Sequence, residues 1–348
     1  MLHSSYSKYI LDFKKPSWTS RGVLNHKETY FIRIVDASKP FVVGLGECAV
    51  FRGLGSDDVP DYEKVLAEVC WNIEDYKDCY KERLKEYPSV VFGLETAFAD
   101  LQNDGRMMPF PSDFTEGNGF VKINGLIWMD AREEMMKQIE NKIEDGFSCV
   151  KMKIGAVDFE SELDLLRSVR KRFSKESLEL RVDANGAFSM EDAMMKLEAL
   201  SKMDLHSIEQ PIKAGQTENM ASLCKDTPLP IALDEELIGV FDKSKKQALL
   251  DEIKPQFVVL KPSLHGSFCG VDEWIGLAEE RKIGWWITSA LESNIGLNAI
   301  AQWTYGKGVS MAQGLGTGSL YTNNVHSPLV LDGENLKFDE TKGYDFKD

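Results

Sequence analysis

The chain has 348 residues, 43% of them hydrophobic and 28% charged, enough to bury a large core, with room for two domains, and ordinary for a soluble globular protein. Its formal net charge of −15 argues against nucleic acid as a partner, since nucleic acid selects basic patches, and obliges an anionic substrate to find local positive charge. No run is long and apolar enough to span a bilayer, Met1–Tyr6 lacks the apolar centre of a signal peptide, and six scattered cysteines without a CxxC pair read as reduced thiols of a cytoplasmic protein.

In chain order, the first 50 residues read as a β-meander. Tyr6–Phe13 alternates, Thr29–Val35 is rich in β-formers, and Phe41–Glu47 follows. Lys14–Gly22, between the first two strands, is polar, carries Trp18 and Arg21 and ends in glycine. It suits a lid loop spanning 14–26, with Arg21 as a contact for a substrate carboxylate. Gly44-Leu45-Gly46-Glu47-Cys48-Ala49 formally fits a dinucleotide fingerprint. Glu47 would then face the pyrophosphate, and Gly53, Gly55 and Pro60 stand where a helix should run, so the match is rejected. Asp61–Glu86 and Ser89–Leu101 carry apolar residues at helical spacing. The Pro- and Gly-rich stretch 107–119 marks a boundary between a domain at 1–115 and a second at 116–318.

Strand candidates then recur at the spacing of one βα unit: Phe120–Leu126, Cys149–Ile154, Leu178–Val182, Ser207–Gln210, Ile231–Asp234, Phe257–Lys261, Trp285–Ser289 and Val309–Ala312, with helices such as Asp130–Glu144, Glu160–Arg172 and Met190–Met203 between them. Such a repeat predicts an α/β barrel of the TIM type, whose chemistry sits at the strand C-termini. The remainder, 319–348, resembles further meander that returns to the first domain.

Three consecutive strand ends carry an acid: Asp183, Glu209 and Asp234. Buried carboxylates need a cationic partner, and three oxygen donors without His or Cys suit Mg²⁺ or Mn²⁺ rather than zinc. Lys151 and Lys153 leave one strand on the same side, and Lys261 ends a strand across the barrel mouth. A lysine crowded by other cations loses basicity and can take a proton near neutral pH. Together a divalent metal and a lysine base can remove a proton α to a carboxylate. Asn185 follows the first metal candidate. Ser289, Glu292, Ser293 and Asn294 follow the seventh strand, and Gly314 opens a glycine-rich turn whose amides could receive a carboxylate. These are candidate substrate contacts. His265 falls in a loop and reads as a surface residue.

Lys151-Met152-Lys153, Asp183-Ala184-Asn185-Gly186, Ile208-Glu209-Gln210-Pro211, Asp234-Glu235 and Lys261-Pro262 resemble, in order and spacing, the muconate lactonizing enzyme subgroup of the enolase superfamily. The resemblance covers nearly the whole chain and includes Gly46-Glu47 and Gly93–Ala97. It implies a modified (β/α)7β TIM barrel with an α+β capping domain formed by both termini, Mg²⁺ on the three acids, Lys153 as acid/base and Lys261 facing the other side of the substrate. Ser289–Gly296 and Gly314–Gly318 are most similar to members that dehydrate 2-succinyl-6-hydroxy-2,4-cyclohexadiene-1-carboxylate in menaquinone synthesis. Two alternatives stay open, a racemase or epimerase using both lysines and a non-catalytic metal-stabilised binding protein. Dipeptide epimerases of the subgroup carry Asp-x-Asp on the eighth strand, and Met311–Leu315 has no acid. The expected partner is a small anionic substrate, with no nucleic acid or membrane; self-association is left open.

Overall fold

The computed structural model describes residues 1–19, 22–155 and 158–343, the side chains of 17–19 excepted. The N-terminal part is an antiparallel sheet in the order β1 (Leu2–Thr19), β2 (Gly22–Asp36), β3 (Val43–Cys48). The expected lid loop is mostly strand. β1 and β2 pair from Leu2↔Asp36 to Thr19↔Gly22, with a register shift between Asp12 and Ser17. Pro16, which cannot donate to a ladder, lies inside that shift. A strand exposed on both faces needs no apolar alternation, so its polar residues read as loop. Arg21 lies outside the described residues.

Helix α1 (Tyr62–Trp71) is followed by two single-turn helices, α2 (Ile73–Tyr76) and α3 (Tyr80–Arg83), where one long helix is expected. The break falls at Asn72, whose side chain donates to the Glu68 carbonyl at 3.1 Å and competes with the helical ladder. α4 (Pro88–Gln102) packs across the sheet, burying Val90, Leu94 and Ala97 against Tyr30, Ile32 and Ile34. The rejected fingerprint has a packing explanation. A Cβ on Gly46 would stand 2.0 Å from the Gly93 carbonyl oxygen, so the missing side chain lets strand and helix touch.

The second part begins with β4 (Phe120–Lys122) and β5 (Gly125–Ile127), which divide the single strand expected there. The chain then alternates α5 (Arg132–Glu144), β6 (Cys149–Lys153), α6 (Phe159–Arg172), β7 (Glu179–Asp183), α7 (Met190–Ser201), β8 (Ser207–Glu209), α8 (Thr217–Asp226), β9 (Ile231–Leu233), α9 (Lys243–Ile253), β10 (Phe257–Leu260), α10 (Ser267–Glu280), β11 (Gly284–Ile287) and α11 (Asn294–Tyr305). β5 to β11 form one parallel sheet in sequence order, with the apolar sides of strands and helices in one continuous core.

No eighth strand forms at Val309–Ala312. The gap between β11 and β5 is bridged by the next two residues, Gln313 to Ile123 and Gly314 to Thr288, both parallel. The Gln313 amide donates to Lys122 O and its carbonyl accepts from Asn124 N, while Gly314 N donates to Ile287 O at 2.8 Å. The Gln313 side chain fixes this register, accepting from Ile287 N at 2.7 Å and donating to Met311 O at 2.7 Å. Beyond it, 320–323 run beside β1, with Lys14 N donating to Leu320 O and Thr322 N to Asp12 O. The closing hairpin, β12 (Leu329–Asp332) and β13 (Asn335–Phe338), pairs with β4 rather than with the cap sheet.

A buried carboxylate is among the links between cap and barrel. Glu47, on β3, accepts from Thr29 Oγ1 at 2.8 Å, Ser293 N at 2.9 Å, Ser293 Oγ at 2.6 Å and Gly296 N at 2.9 Å. It thereby satisfies the N-cap amide and the Gly296 amide in the first turn of α11, where the helix dipole favours negative charge. Replacing Glu47 by alanine strands these donors in a buried site. A loss of on the order of 3 kcal/mol is expected, because each unsatisfied buried group costs about 1–3 kcal/mol. Urea unfolding of the variant beside wild type measures it.

Candidate active site

The barrel register sets the site. β6, β7 and β8 pair so that Lys153, Asp183 and Glu209 are neighbouring Cα partners at the C-terminal edge. Asp234 directly follows β9. All three acids are buried, and one carboxylate oxygen from each lies within 4.8 Å of the others. Glu209 Oε1 and Asp234 Oδ1 are buried without a hydrogen-bond partner among the described residues. A cluster of hard oxygen donors with two such orphaned atoms fits a divalent cation.

The lysines meet these acids directly. Lys151 Nζ donates to Glu209 Oε2 at 2.7 Å and Asp183 Oδ2 at 3.1 Å. Lys153 Nζ donates to Asp183 Oδ2 at 2.6 Å and Asn185 Oδ1 at 2.7 Å. Lys261 Nζ donates to Asp234 Oδ2 at 2.6 Å. The expectation that crowding by cations depresses the lysines is overturned for two of them. Burial works against the charge of Lys151, but Glu209, Asp183 and Asp234 outweigh it and hold the ammonium above its ordinary range. For Lys261, Asp234 and Glu235 likewise overcome burial. Burial also opposes the Asp183 charge, yet Lys153 and Lys151 keep its pKa well below the carboxylate range. Burial, with Asp183 and Asp234 as like charges, pushes Glu209 up to about 7 against the pull of Lys151. These lysines are counter-ions of the acid cluster before they are anything else.

Local backbone geometry holds the acids. Asn185 adopts φ 44°, a left-handed conformation that asparagine tolerates, and its amide donates to Asp183 Oδ1 at 3.0 Å. Its side-chain amide donates to Glu235 Oε1 at 2.9 Å, leaving the carbonyl to Lys153. Gln210 Oε1 accepts from Asp234 N and Glu236 N, both at 3.2 Å, and ties the end of β8 to the end of β9. Sequence reasoning left Gln210 as strand; the acid-amide pair Glu209-Gln210 was the available signal.

A cavity opens above this cluster. Lys151, Lys153, Lys261 and Asn185 line one side, and Phe51, Leu54, Leu126, Trp128 and Leu291 supply an apolar wall. Ser289, Gly314 and Thr317 complete it. Of the expected substrate contacts, Asn185, Ser289 and Gly314 border the cavity, and Glu292, Ser293 and Asn294 do not. Glu292 is fully buried and organises the wall from behind, accepting from Ser289 Oγ at 2.6 Å, Ala290 N at 2.8 Å and Ser263 Oγ at 2.5 Å. Ser293 serves Glu47 and caps α11, and Asn294 Nδ2 donates to Val325 O. The Gly314 amide is already committed to Ile287, and a Cβ at Gly314 would meet Thr288 Oγ1 at 2.2 Å. Phe51 and Leu54 come from the cap loop after β3, where nothing in the local sequence marks them as site residues. His265, expected at the surface, is fully buried beneath Lys261.

A family model described as "Enolase C-terminal domain-like" matches residues 134–343. The chain is 45% identical to the o-succinylbenzoate synthase of Desulfotalea psychrophila over 364 aligned positions, covering 94% of this chain and 97% of that one. It is 25% identical to an L-Ala-D/L-Glu epimerase of Francisella tularensis subsp. novicida, covering 77% of each. Among solved structures, the crystal structure of MenC from Desulfotalea psychrophila superposes with a TM-score of 0.85 at 41% identity, over 97% of this chain and 99% of that one.

Proposed function

This chain belongs to the enolase superfamily, and from that premise we propose that it carries out the o-succinylbenzoate synthase reaction, the dehydration of 2-succinyl-6-hydroxy-2,4-cyclohexadiene-1-carboxylate to 2-succinylbenzoate. It is a carbon–oxygen lyase acting on a small molecule. The observation that favours dehydration over dipeptide epimerisation is the cavity wall. Among the described residues that wall combines three lysines with an aromatic and aliphatic patch and contains no carboxylate. It suits a ring bearing carboxylates and offers nothing to a substrate ammonium. At the eighth strand position the buried side chain of Gln313 is bonded to the backbone of Ile287 and Met311 and does not line the cavity.

Asp183, Glu209 and Asp234 would hold Mg²⁺, which when bound supplies electrophilic stabilisation of charge on the substrate carboxylate. Lys153, whose Nζ stands between Asp183 Oδ2 and Asn185 Oδ1 on the cavity wall, is the base that accepts the proton α to the ring carboxylate. Asn185 Oδ1 keeps its amine oriented. Lys261, paired with Asp234, stabilises the negative charge that develops. Lys153, now an ammonium, returns its proton to the departing hydroxyl on the same face. One C–H and one C–O bond break, water leaves and the ring becomes aromatic. Lys151 stays between Asp183 and Glu209 as a helper. Arg21, outside the described residues, would meet the distal carboxylate. Such a product would serve menaquinone synthesis. Six free cysteines and the lack of a membrane-crossing helix among the described residues support a cytoplasmic setting.

An N-acyl amino acid racemase is the second reading, since its substrate also lacks an ammonium and two of the three cavity lysines, Lys153 and Lys261, could serve as a two-base pair. A direct comparison of kcat/KM decides between them. The cyclohexadiene carboxylate is expected to exceed every member of an N-succinyl amino acid panel by at least about tenfold, or about 1.4 kcal/mol of transition-state discrimination. The reverse preference hands the chain to the racemases.

A further inference from the structure

We infer that His265 is a positioning residue for Lys261. This rests on the catalytic assignment of Lys261 above. The parallel ladder between β10 and β11 ends at Leu260↔Ile287, so Lys261 is the first residue beyond sheet pairing. Its amide would be a buried donor without a partner. His265 supplies one: Lys261 N donates to His265 Nδ1 at 3.0 Å, and His265 N donates back to Lys261 O, also at 3.0 Å. Leu264 N donates to the same carbonyl at 2.9 Å. The peptide groups of Lys261 are thus held on both sides by a residue four positions on, and one imidazole substitutes for the strand neighbour that β10 has run out of.

The imidazole is fully buried, and its Nδ1 is an acceptor, so the neutral ring carries its hydrogen on Nε2. Among the described residues Nε2 has no hydrogen-bond partner. The ring therefore makes a single polar contact with the protein, and that contact is to the catalytic lysine's own backbone. A buried polar side chain kept for packing alone would be costly here, where Leu264 and Phe268 show that apolar residues are accommodated on either side. Fixing the Lys261 backbone fixes the root of a long flexible side chain, which narrows where its ammonium can reach.

Three variants test this. Asparagine can place Oδ1 near the position of Nδ1 and accept the same bond. Glutamine keeps the polarity but carries its acceptor one carbon further out, and leucine removes it. His265→Leu and His265→Gln are expected to lower kcat at least about tenfold with KM within about threefold, while His265→Asn stays within about threefold of wild type in both. A role confined to stability would instead move melting temperature and leave kcat, measured well below melting, equal in all folded variants. That result, or wild-type kcat in His265→Gln, overturns the proposal. If His265→Leu does not fold, the contrast between Asn and Gln still decides. Lys261→Ala, measured in parallel, separates the two levels. Wild-type turnover there defeats the assignment of Lys261 itself, whereas an inactive Lys261→Ala beside a fully active His265→Gln defeats only the role of His265.

Discussion

Lys153→Ala is expected to lower kcat by at least ~10²–10⁴, the range for losing a positioned acid/base, and by more if both proton steps depend on the same amine. KM should change little, because the lysine acts on the reacting carbon rather than on the substrate's anionic ends. Lys261→Ala should fall comparably through lost charge stabilisation, each buried donor of this kind being worth about 10²–10³ in rate. Lys151→Ala should retain more activity than either, since Lys151 is shared between Asp183 and Glu209 at the base of the cluster. Steady-state kinetics on the three variants ranks them. A Lys153→Ala enzyme within about tenfold of wild type would remove Lys153 from the proton steps.

The second large effect concerns the acids. Asp183→Asn, Glu209→Gln or Asp234→Asn is expected to abolish turnover while the fold persists, and exhaustive chelation should do the same to wild type, reversibly on adding Mg²⁺. A binding readout independent of catalysis is available. A cation that binds only the folded state adds about 2.7 kcal/mol of stability at a concentration one hundred times its dissociation constant. Wild type should therefore melt higher with Mg²⁺ than with chelator, and the three variants should lose that difference. Asp183→Asn carries a further consequence, because both Lys151 and Lys153 are bound to that carboxylate. Its removal leaves two buried ammoniums short of a counter-ion. Full activity after chelation would end the metal assignment.

Much of this was legible in the sequence because the relevant signals are local. A buried parallel strand must be a short apolar run, and an acid at its tip is conspicuous there, so Asp183, Glu209, Asp234 and the lysine pair stand out unaided. What stayed hidden depends on partners distant in the chain. The barrel is completed by two bridges at Gln313 and Gly314 rather than by a strand, and those residues have no β-pattern to announce them. Lys14–Pro16 and Gly22–Val23 are strand residues exposed to solvent, and such stretches read as loop. Ser293 looked like a substrate contact because it is small, polar and near a strand end; its partner is Glu47. Phe51 and Leu54 become site residues only once the cap is laid on the barrel.

That cap carries one more implication, for the order in which the molecule is made. The carboxylate completing the first turn of α11 comes from Glu47, 246 residues upstream of Ser293. Closing a loop of that length has a high entropic cost, and such contacts form late. On the ribosome the cap's first strands emerge long before α11 exists, so Glu47 must wait through the synthesis of nearly the whole barrel for the amides it will bind. The latch closes only when α11 arrives, which makes assembly of the cap on the barrel a check that the barrel has been synthesised as far as that helix.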